Sequence, residues 1–227
     1  MIVIKKDFVD ETTKSFCGNR PLSSGKAYYM LDTNGTIHYA GKQCAEENSN
    51  TDLSQIPDLT KSLISNHEGS HSGGGSTGGD KENIDLTKSK AITYLILREE
   101  KLINYKCDGV SVSYSQLNKY FQKYINDNEL SKDEINHIIN LEKYSASKIN
   151  KKMSLNNLST CYTYEYILNR ILSYLKDNNK PIEYVEGLVK YLKEHCFLSD
   201  KQVDGLEQWL QYLPDELRTS KRKKFTT

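Results

Sequence analysis

Two groups of residues in this 227-residue chain have the types and spacing to do chemistry. His67-Glu68-Gly69-Ser70-His71 follows the pattern H-E-x-x-H. On a helix that spacing sets two imidazoles one turn apart to hold zinc, beside a carboxylate that can activate the metal's water. Cys17, His38 and Cys44 offer the sulfur and nitrogen donors that fill structural zinc sites. Both readings depend on the elements that would hold these side chains.

Ahead of the first group, Ile56, Leu59 and Leu63 recur at i, i+3 and i+7 with Pro57 near the start, a pattern that could carry a helix into the motif. Gly69 and Ser70 occupy its inner positions, however, and Ser72-Gly73-Gly74-Gly75-Ser76-Thr77-Gly78-Gly79 follows at once. Each glycine costs a helix interior about 1 kcal/mol, and the stretch has no apolar residue to anchor it. A single cause accounts for residues 66–83: they are too polar and too rich in glycine to fold, and read as a flexible linker. A zinc metallopeptidase acting through His67, Glu68 and His71 is the lesser alternative.

The second group sits in a recognisable order of elements. Residues 27–40, "AYYMLDTNGTIHYA", are two strand-favouring runs around Thr33-Asn34-Gly35, and Asn-Gly is a strong hairpin signal. "GKQCAEEN" then reads as a tight turn into a short helix, with Cys44 in its first turn and Cys17 ahead of the hairpin. That order is the order of a treble-clef zinc module. The words "CGNRPL" and "GKQCA" resemble a small cysteine module of many bacteriophage proteins, C-x-x-C-G-R-P-L followed by G-x-x-C-A. The likeness runs from Cys17 to about Glu47 and departs from the family pattern at Lys14, where its first cysteine would fall. A structural zinc site needs about four donors; Cys17, Cys44 and His38 give three at most, with His38 required to point to the correct face of the hairpin. The alternative is a degenerate clef whose cysteines are merely packed, around a core of Tyr28, Met30, Ile37 and Tyr39. The five cysteines are odd in number and scattered, with no C-x-x-C pair, which argues against a disulfide framework. Most read as reduced, with Cys107, Cys161 and Cys196 expected in a core.

After the linker the apolar spacing becomes helical. Ile92, Leu95, Ile96, Leu102 and Ile103 mark one amphipathic helix, broken at Cys107-Asp108-Gly109. Leu117, Tyr120, Phe121, Tyr124 and Ile125 mark a second. Ser131 with Glu134 makes a capping box for a third. Sixty-eight positions on, Leu130, Ser131, Glu134, Ile135, Ile138, Leu141 and Tyr144 are matched by Leu198, Ser199, Gln202, Val203, Leu206, Trp209 and Tyr212. "TYLILR" at Thr93–Arg98 returns as "EYILNR" at Glu165–Arg170 with a slightly longer offset. Two copies of a three-helix unit are inferred, at about 84–150 and 155–214. "LSDKQVDGLEQWL" resembles a helix-capping phrase of phage and plasmid proteins.

The expected fold is therefore mainly α: a small N-terminal α+β module over 1–65, a linker over 66–83, a helical domain over 84–217 and a basic tail over 218–227. No run of about 18 apolar residues exists to span a bilayer, and the charged start does not suit a signal peptide, so no membrane contact and a cytoplasmic location are expected. The net charge of +1 leaves no broad basic face for duplex DNA. Basicity is concentrated in Arg218, Lys221, Arg222, Lys223 and Lys224. Sixteen tyrosines against five phenylalanines suit helical cores with wet rims. Tyr162, Tyr164 and Tyr166 are too closely spaced to share one helix face, so at least one should reach a partner. These features favour a non-enzymatic interaction protein of phage or mobile-element origin that binds a partner protein through helical surfaces. A nucleic-acid-binding accessory protein using the clef and tail is the alternative.

Overall fold

The computed structural model describes residues 1–61, 79–146, 151–213, 218 and 223–225, with backbone alone for 79–86. His67, Glu68, His71 and most of the expected linker lie outside the described residues. The chain divides into two compact units, the first containing Met1–Lys61 and the start of a long helix as far as Thr93, the second the chain from Tyr94 onward. The described residues are mainly helical, with a small N-terminal sheet and a C-terminal helical region.

In the first unit, β1 (Ile2–Phe8) pairs antiparallel with β2 (Lys26–Leu31), and β2 with β3 (Ile37–Ala40), in the order β1-β2-β3. The Asn-Gly turn forms as its residues dictate. Gly35 takes a left-handed φ of 79°, and the Asp32 carboxylate accepts hydrogen bonds from the Asn34 and Thr36 amides at 2.8 and 2.9 Å. Helix α1 (Lys42–Asn48) follows as expected and packs Cys44 and Ala45 against Val3, Met30, Ala40 and Ile56. Ile37, expected in the core, is instead 45% exposed.

No α-helix forms over the described part of the Ile56–Leu63 pattern. Ile56 and Leu59 are buried, but as part of an edge connection: the Lys6 amide donates to the Pro57 carbonyl (2.8 Å) and the Leu59 amide to the Lys6 carbonyl (2.9 Å). Proline suits such an edge because it has no N–H to leave unpaired. Asp52 and Asp58 each accept from the amide two residues on, at 2.9 Å, closing side-chain turns that compete with a helix.

Helix α2 (Gly79–Ile96) gives its Ser89 hydroxyl to the Ile56 carbonyl (3.0 Å), which ties this part of it to the first unit. The second unit continues with a π-helical turn, Leu97–Lys101, and a two-stranded hairpin, β4 (Lys106–Cys107) and β5 (Val110–Ser111). Helices α3 (Ser115–Asp127), α4 (Lys132–Tyr144), α5 (Leu155–Asp177), α6 (Glu183–His195) and α7 (Asp200–Leu210) complete it.

The α3–α4 and α6–α7 corners follow the same plan, residue for residue, at the 68-position offset. Asn128 and Cys196 both adopt left-handed caps, φ 51° and 49°, with amides returning to the Tyr124 and Leu192 carbonyls. Leu130 and Leu198 are buried behind them. Ser131 with Glu134 and Ser199 with Gln202 both form complete capping boxes. Ile138 and Leu206, Leu117 and Val185, Tyr124 and Leu192 are buried at matching positions.

Because each box satisfies amides that the helix itself leaves unpaired, Ser131→Ala and Ser199→Ala should each lower unfolding stability by about 1 kcal/mol. The two losses should add in the double variant, since the sites share no hydrogen-bond partner. Urea denaturation followed by far-ultraviolet circular dichroism measures both.

Candidate interaction site

On α7 the residues at i and i+4, Leu206 and Leu210, are buried and fix the helix against its unit. Trp209 and Tyr212 then fall at the margin of that buried face, each half-buried. The end of α5 supplies Tyr174, and the start of α6 supplies Tyr184, which is 43% exposed. The loop between them is shaped by left-handed Asn179 (φ 51°) and by the Lys180 amide returning to the Leu175 carbonyl at 2.9 Å.

The result is a strip of four rings. Tyr174 stacks on Tyr212 with centroids 4.6 Å apart and planes 17° apart. Trp209 lies 6.3 Å from Tyr212 and 6.1 Å from Tyr184, the latter nearly parallel at 21°. The Lys180 ammonium sits 4.2 Å from the Tyr212 centroid and 5.4 Å from that of Tyr174, a cation held over two π faces. Gly205 explains itself here: a Cβ at this position would collide with the Tyr184 hydroxyl. A mid-helix glycine costs about 1 kcal/mol against alanine, and in return the Tyr184 hydroxyl can approach α7 closely. At the positions of Tyr184, Trp209 and Tyr212 the α3–α4 corner has Gln116, Leu141 and Tyr144, so the strip is particular to the α6–α7 corner.

The expected binding tyrosines are arranged differently. Tyr164 is 1% exposed, a correction to its placement among the surface residues. Its ring packs on Phe225 at 4.8 Å and its hydroxyl donates to the Lys223 carbonyl at 3.4 Å. Tyr162 and Tyr166 are half-buried, and the Lys101 ammonium stands 5.7 Å from the Tyr162 centroid. In the tail, Arg218 and Lys224 are exposed, whereas Lys223 donates to the Asn156 side chain at 2.8 Å. Lys221 and Arg222 lie outside the described residues.

The expected metal ligands are not brought together as a cluster. Cys17 and Cys44 are joined to each other in a disulfide, which leaves neither a thiolate for a metal. His38 is opposite Met30 in the sheet and turns to Asp32 on its own hairpin, Nε2 to Oδ2 at 3.0 Å, with the Phe16 ring 4.9 Å away. That contact, with the turn amides, holds the Asp32 carboxyl below its ordinary range. Among the described residues no group of three or more His, Cys, Asp or Glu side chains is placed to hold a metal ion.

Cys107, Cys161 and Cys196 form no disulfide and are fully buried, as expected. Asn157 joins two of them, its amide donating to Cys161 Sγ (3.7 Å) and to the Cys196 carbonyl (2.9 Å). The hydrogen bond with Cys107 eases ionisation of the Cys196 thiol, but the one with Cys161 and burial outweigh it and push that thiol up, so it is no nucleophile at neutral pH. Asp108, left-handed at φ 53°, receives Lys152 Nζ on one oxygen and faces His195 Nδ1 with the other, both at 2.7 Å. Lys152 and then His195 hold its carboxyl below the usual range.

In the first unit a cavity of about 540 Å³ is lined by Lys6, Lys42, Glu46, Asp58 and Lys61 among others. Lys6 pairs with Asp58 at 3.2 Å and Lys42 with Glu46 at 3.6 Å, so most of its charge is cancelled internally. Among the described residues no helix is long and apolar enough to cross a membrane. No family model, curated protein or solved structure matches the chain.

Two predictions follow from this geometry. Asp108 has a folded pKa below its ordinary value of 3.8, so its contribution is fully present above that value and is lost as pH falls through the folded one. Asn tolerates the left-handed backbone, so Asp108→Asn isolates the charge. The variant should be less stable than the parent by roughly 0.2–1 kcal/mol at pH 5–7, a gap that narrows as pH falls below 3.8 in urea titrations. The disulfide spans 27 positions, so Cys17→Ser/Cys44→Ser should destabilise the first unit by about 3 kcal/mol. Peptide mapping without reductant should recover residues 17 and 44 cross-linked in the parent.

Proposed function

We propose that this chain is a non-enzymatic interaction protein whose second unit binds a partner protein through the ring strip of Tyr174, Tyr212, Trp209 and Tyr184. The supporting observation is the strip itself, four aromatic rings crossing the ends of three helices with Tyr184 43% exposed. Tyrosine and tryptophan carry much of the energy of protein interfaces because each offers a large rigid surface with a polar handle at low entropic cost. Gly205 strengthens the reading, since a residue with lower helix propensity stands where a side chain would disturb Tyr184. A phage or mobile-element origin remains the reading that "CGNRPL", "GKQCA" and "LSDKQVDGLEQWL" favour.

The nucleic-acid alternative draws on a basic tail, yet Lys223 is engaged by Asn156 and Phe225 packs on Tyr164. Location bears on the disulfide: such bonds persist in oxidising surroundings, so in the cytoplasm we expect Cys17 and Cys44 to stand reduced.

The test compares the parent with Tyr184→Ala and Gly205→Ala as baits for quantitative affinity capture, with circular dichroism to check folding. Trp209 is the single tryptophan, so its emission reports whether Gly205→Ala has moved Tyr184 off the strip. A protein ligand of the strip should be retained by the parent and reduced about tenfold or more by Tyr184→Ala, the loss expected for an interface anchor. Retention that ignores both variants, or that disappears with nuclease and rising salt, rejects the proposal.

A further inference from the structure

The last described residues of the chain return to the second unit and occupy a cradle there. Asn156 and Tyr164 stand eight positions apart on α5, hence on one face of that helix. The Lys223 ammonium donates to Asn156 Oδ1 at 2.8 Å, and the Tyr164 hydroxyl donates to the Lys223 carbonyl at 3.4 Å. Two residues on, the Phe225 ring meets Tyr164 at 4.8 Å and Phe197 edge-on at 5.7 Å. Lys152 also lies over Phe197, its ammonium 5.4 Å from the ring centroid. Lys224, between the two anchored residues, is exposed.

These contacts amount to three-point recognition: an amide oxygen for an ammonium, a hydroxyl for a main-chain carbonyl, and two rings for a third ring. The phenolic donor reads a main-chain carbonyl and the ring pair an aromatic side chain. The middle position is unread. Nothing in the three contacts requires the ligand to belong to the same chain.

We propose that the cradle of Asn156, Tyr164 and Phe197 is a binding site for short protein segments of the form Lys-x-Phe, that Lys223–Phe225 occupies it as a ligand in cis, and that a partner presenting such a segment binds by displacing the tail. The site is separate from the ring strip, and each can fail without the other. Tethering gives the tail an effective concentration of about millimolar, so a competing segment must be strong, locally concentrated or helped by contacts elsewhere.

The experiment uses the full chain with Phe225→Ala, which vacates the ring pocket without touching the cradle, and the unaltered full chain. The probe is a fluorescently labelled peptide of residues 218–227, RTSKRKKFTT, titrated by anisotropy. The Phe225→Ala chain should bind the peptide about tenfold or more tightly than the unaltered chain does, as expected for removal of a tethered competitor. A peptide whose phenylalanine is replaced by alanine should bind neither. Adding Tyr164→Phe to the receptor should weaken binding several-fold while leaving the ring contact, which separates loss of the hydroxyl from loss of folding. Equal affinity of both chains for the probe, no binding to the Phe225→Ala chain, or equal binding of the alanine peptide through charge alone would each overturn the proposal. Binding by the unaltered chain that grows with its own self-association would likewise overturn occupation in cis.

Discussion

The second unit depends on how its helix corners dispose of backbone groups that a helix cannot pair for itself. At each corner one left-handed residue, Asn128 or Cys196, turns its amide back to the preceding helix, and three positions later a serine side chain accepts from an unpaired first-turn amide of the next helix, that of Glu134 or Gln202. Only one residue then lies between cap and leucine, so Leu130 and Leu198 are driven inward and the two helices are held at a fixed separation. The consequences differ between the two corners because the residues on them differ. At the second corner, Cys196 presents its carbonyl to Asn157, and Phe197 is carried out beside Tyr164 to face Phe225. Glu129 occupies the matching place in the first. The tail cradle therefore owes its ring pair to a capping geometry whose first purpose is to end a helix.

A second constraint acts on the start of this unit. Arg98 and Glu99 are 8% and 3% exposed, and buried charges are tolerated only when their hydrogen bonds are met. The π-helical turn of Leu97–Lys101 contains both. Arg98 donates to the Val112 carbonyl at 2.6 Å and to the Tyr94 hydroxyl at 3.1 Å, and Tyr94 in turn donates to the Met153 carbonyl at 3.0 Å. Glu99 accepts from the Ser113 hydroxyl and the Tyr114 amide at 2.7 and 2.9 Å, closing the N-terminus of α3, whose own cap residue is a tyrosine with no side-chain acceptor in place. The two charges thus hold the β4–β5 hairpin and α3 to the first long helix from within, a structural use that accounts for them without catalysis.

How far the sequence was legible follows the range of the forces involved. The Asn34-Gly35 turn, both serine boxes and the buried face of each short helix were readable because neighbouring residues determine them. Ile2–Phe8 went unread as a strand: its β-branched start is followed by Lys5, Lys6 and Asp7, whose placement depends on pairing with β2 more than twenty positions away. The helix expected around Ile56 and Leu59 failed for the same reason. Their spacing correctly identified buried residues, but the edge of β1 and the turns made by Asp52 and Asp58 settled the backbone. The zinc reading rested on donor types, and donor type says nothing about aim: the hairpin register that sets His38 opposite Met30 delivers its ring to Asp32. Tyr164 was misplaced because its cover comes from Phe225, a contact that no periodicity announces.

The likeness of the α3–α4 and α6–α7 corners separates what holds the fold from what is added to it. Matching positions that are buried in both, such as Ile138 and Leu206 or Tyr124 and Leu192, are apolar in both. Caps are polar in both and make the same bonds. Rings differ in both directions: Tyr184, Trp209 and Phe197 stand where the α3–α4 corner has Gln116, Leu141 and Glu129, while Tyr120, Phe121 and Tyr124 stand where the α6–α7 corner has Leu188, Val189 and Leu192. None of Tyr184, Trp209 and Phe197 is needed to build the corner, because the α3–α4 corner forms without them. Aromatic residues that the corner can do without, gathered in two places around α5, α6 and α7, are where the physics of burial leaves room for recognition, and one of those places already holds a peptide segment of the chain itself.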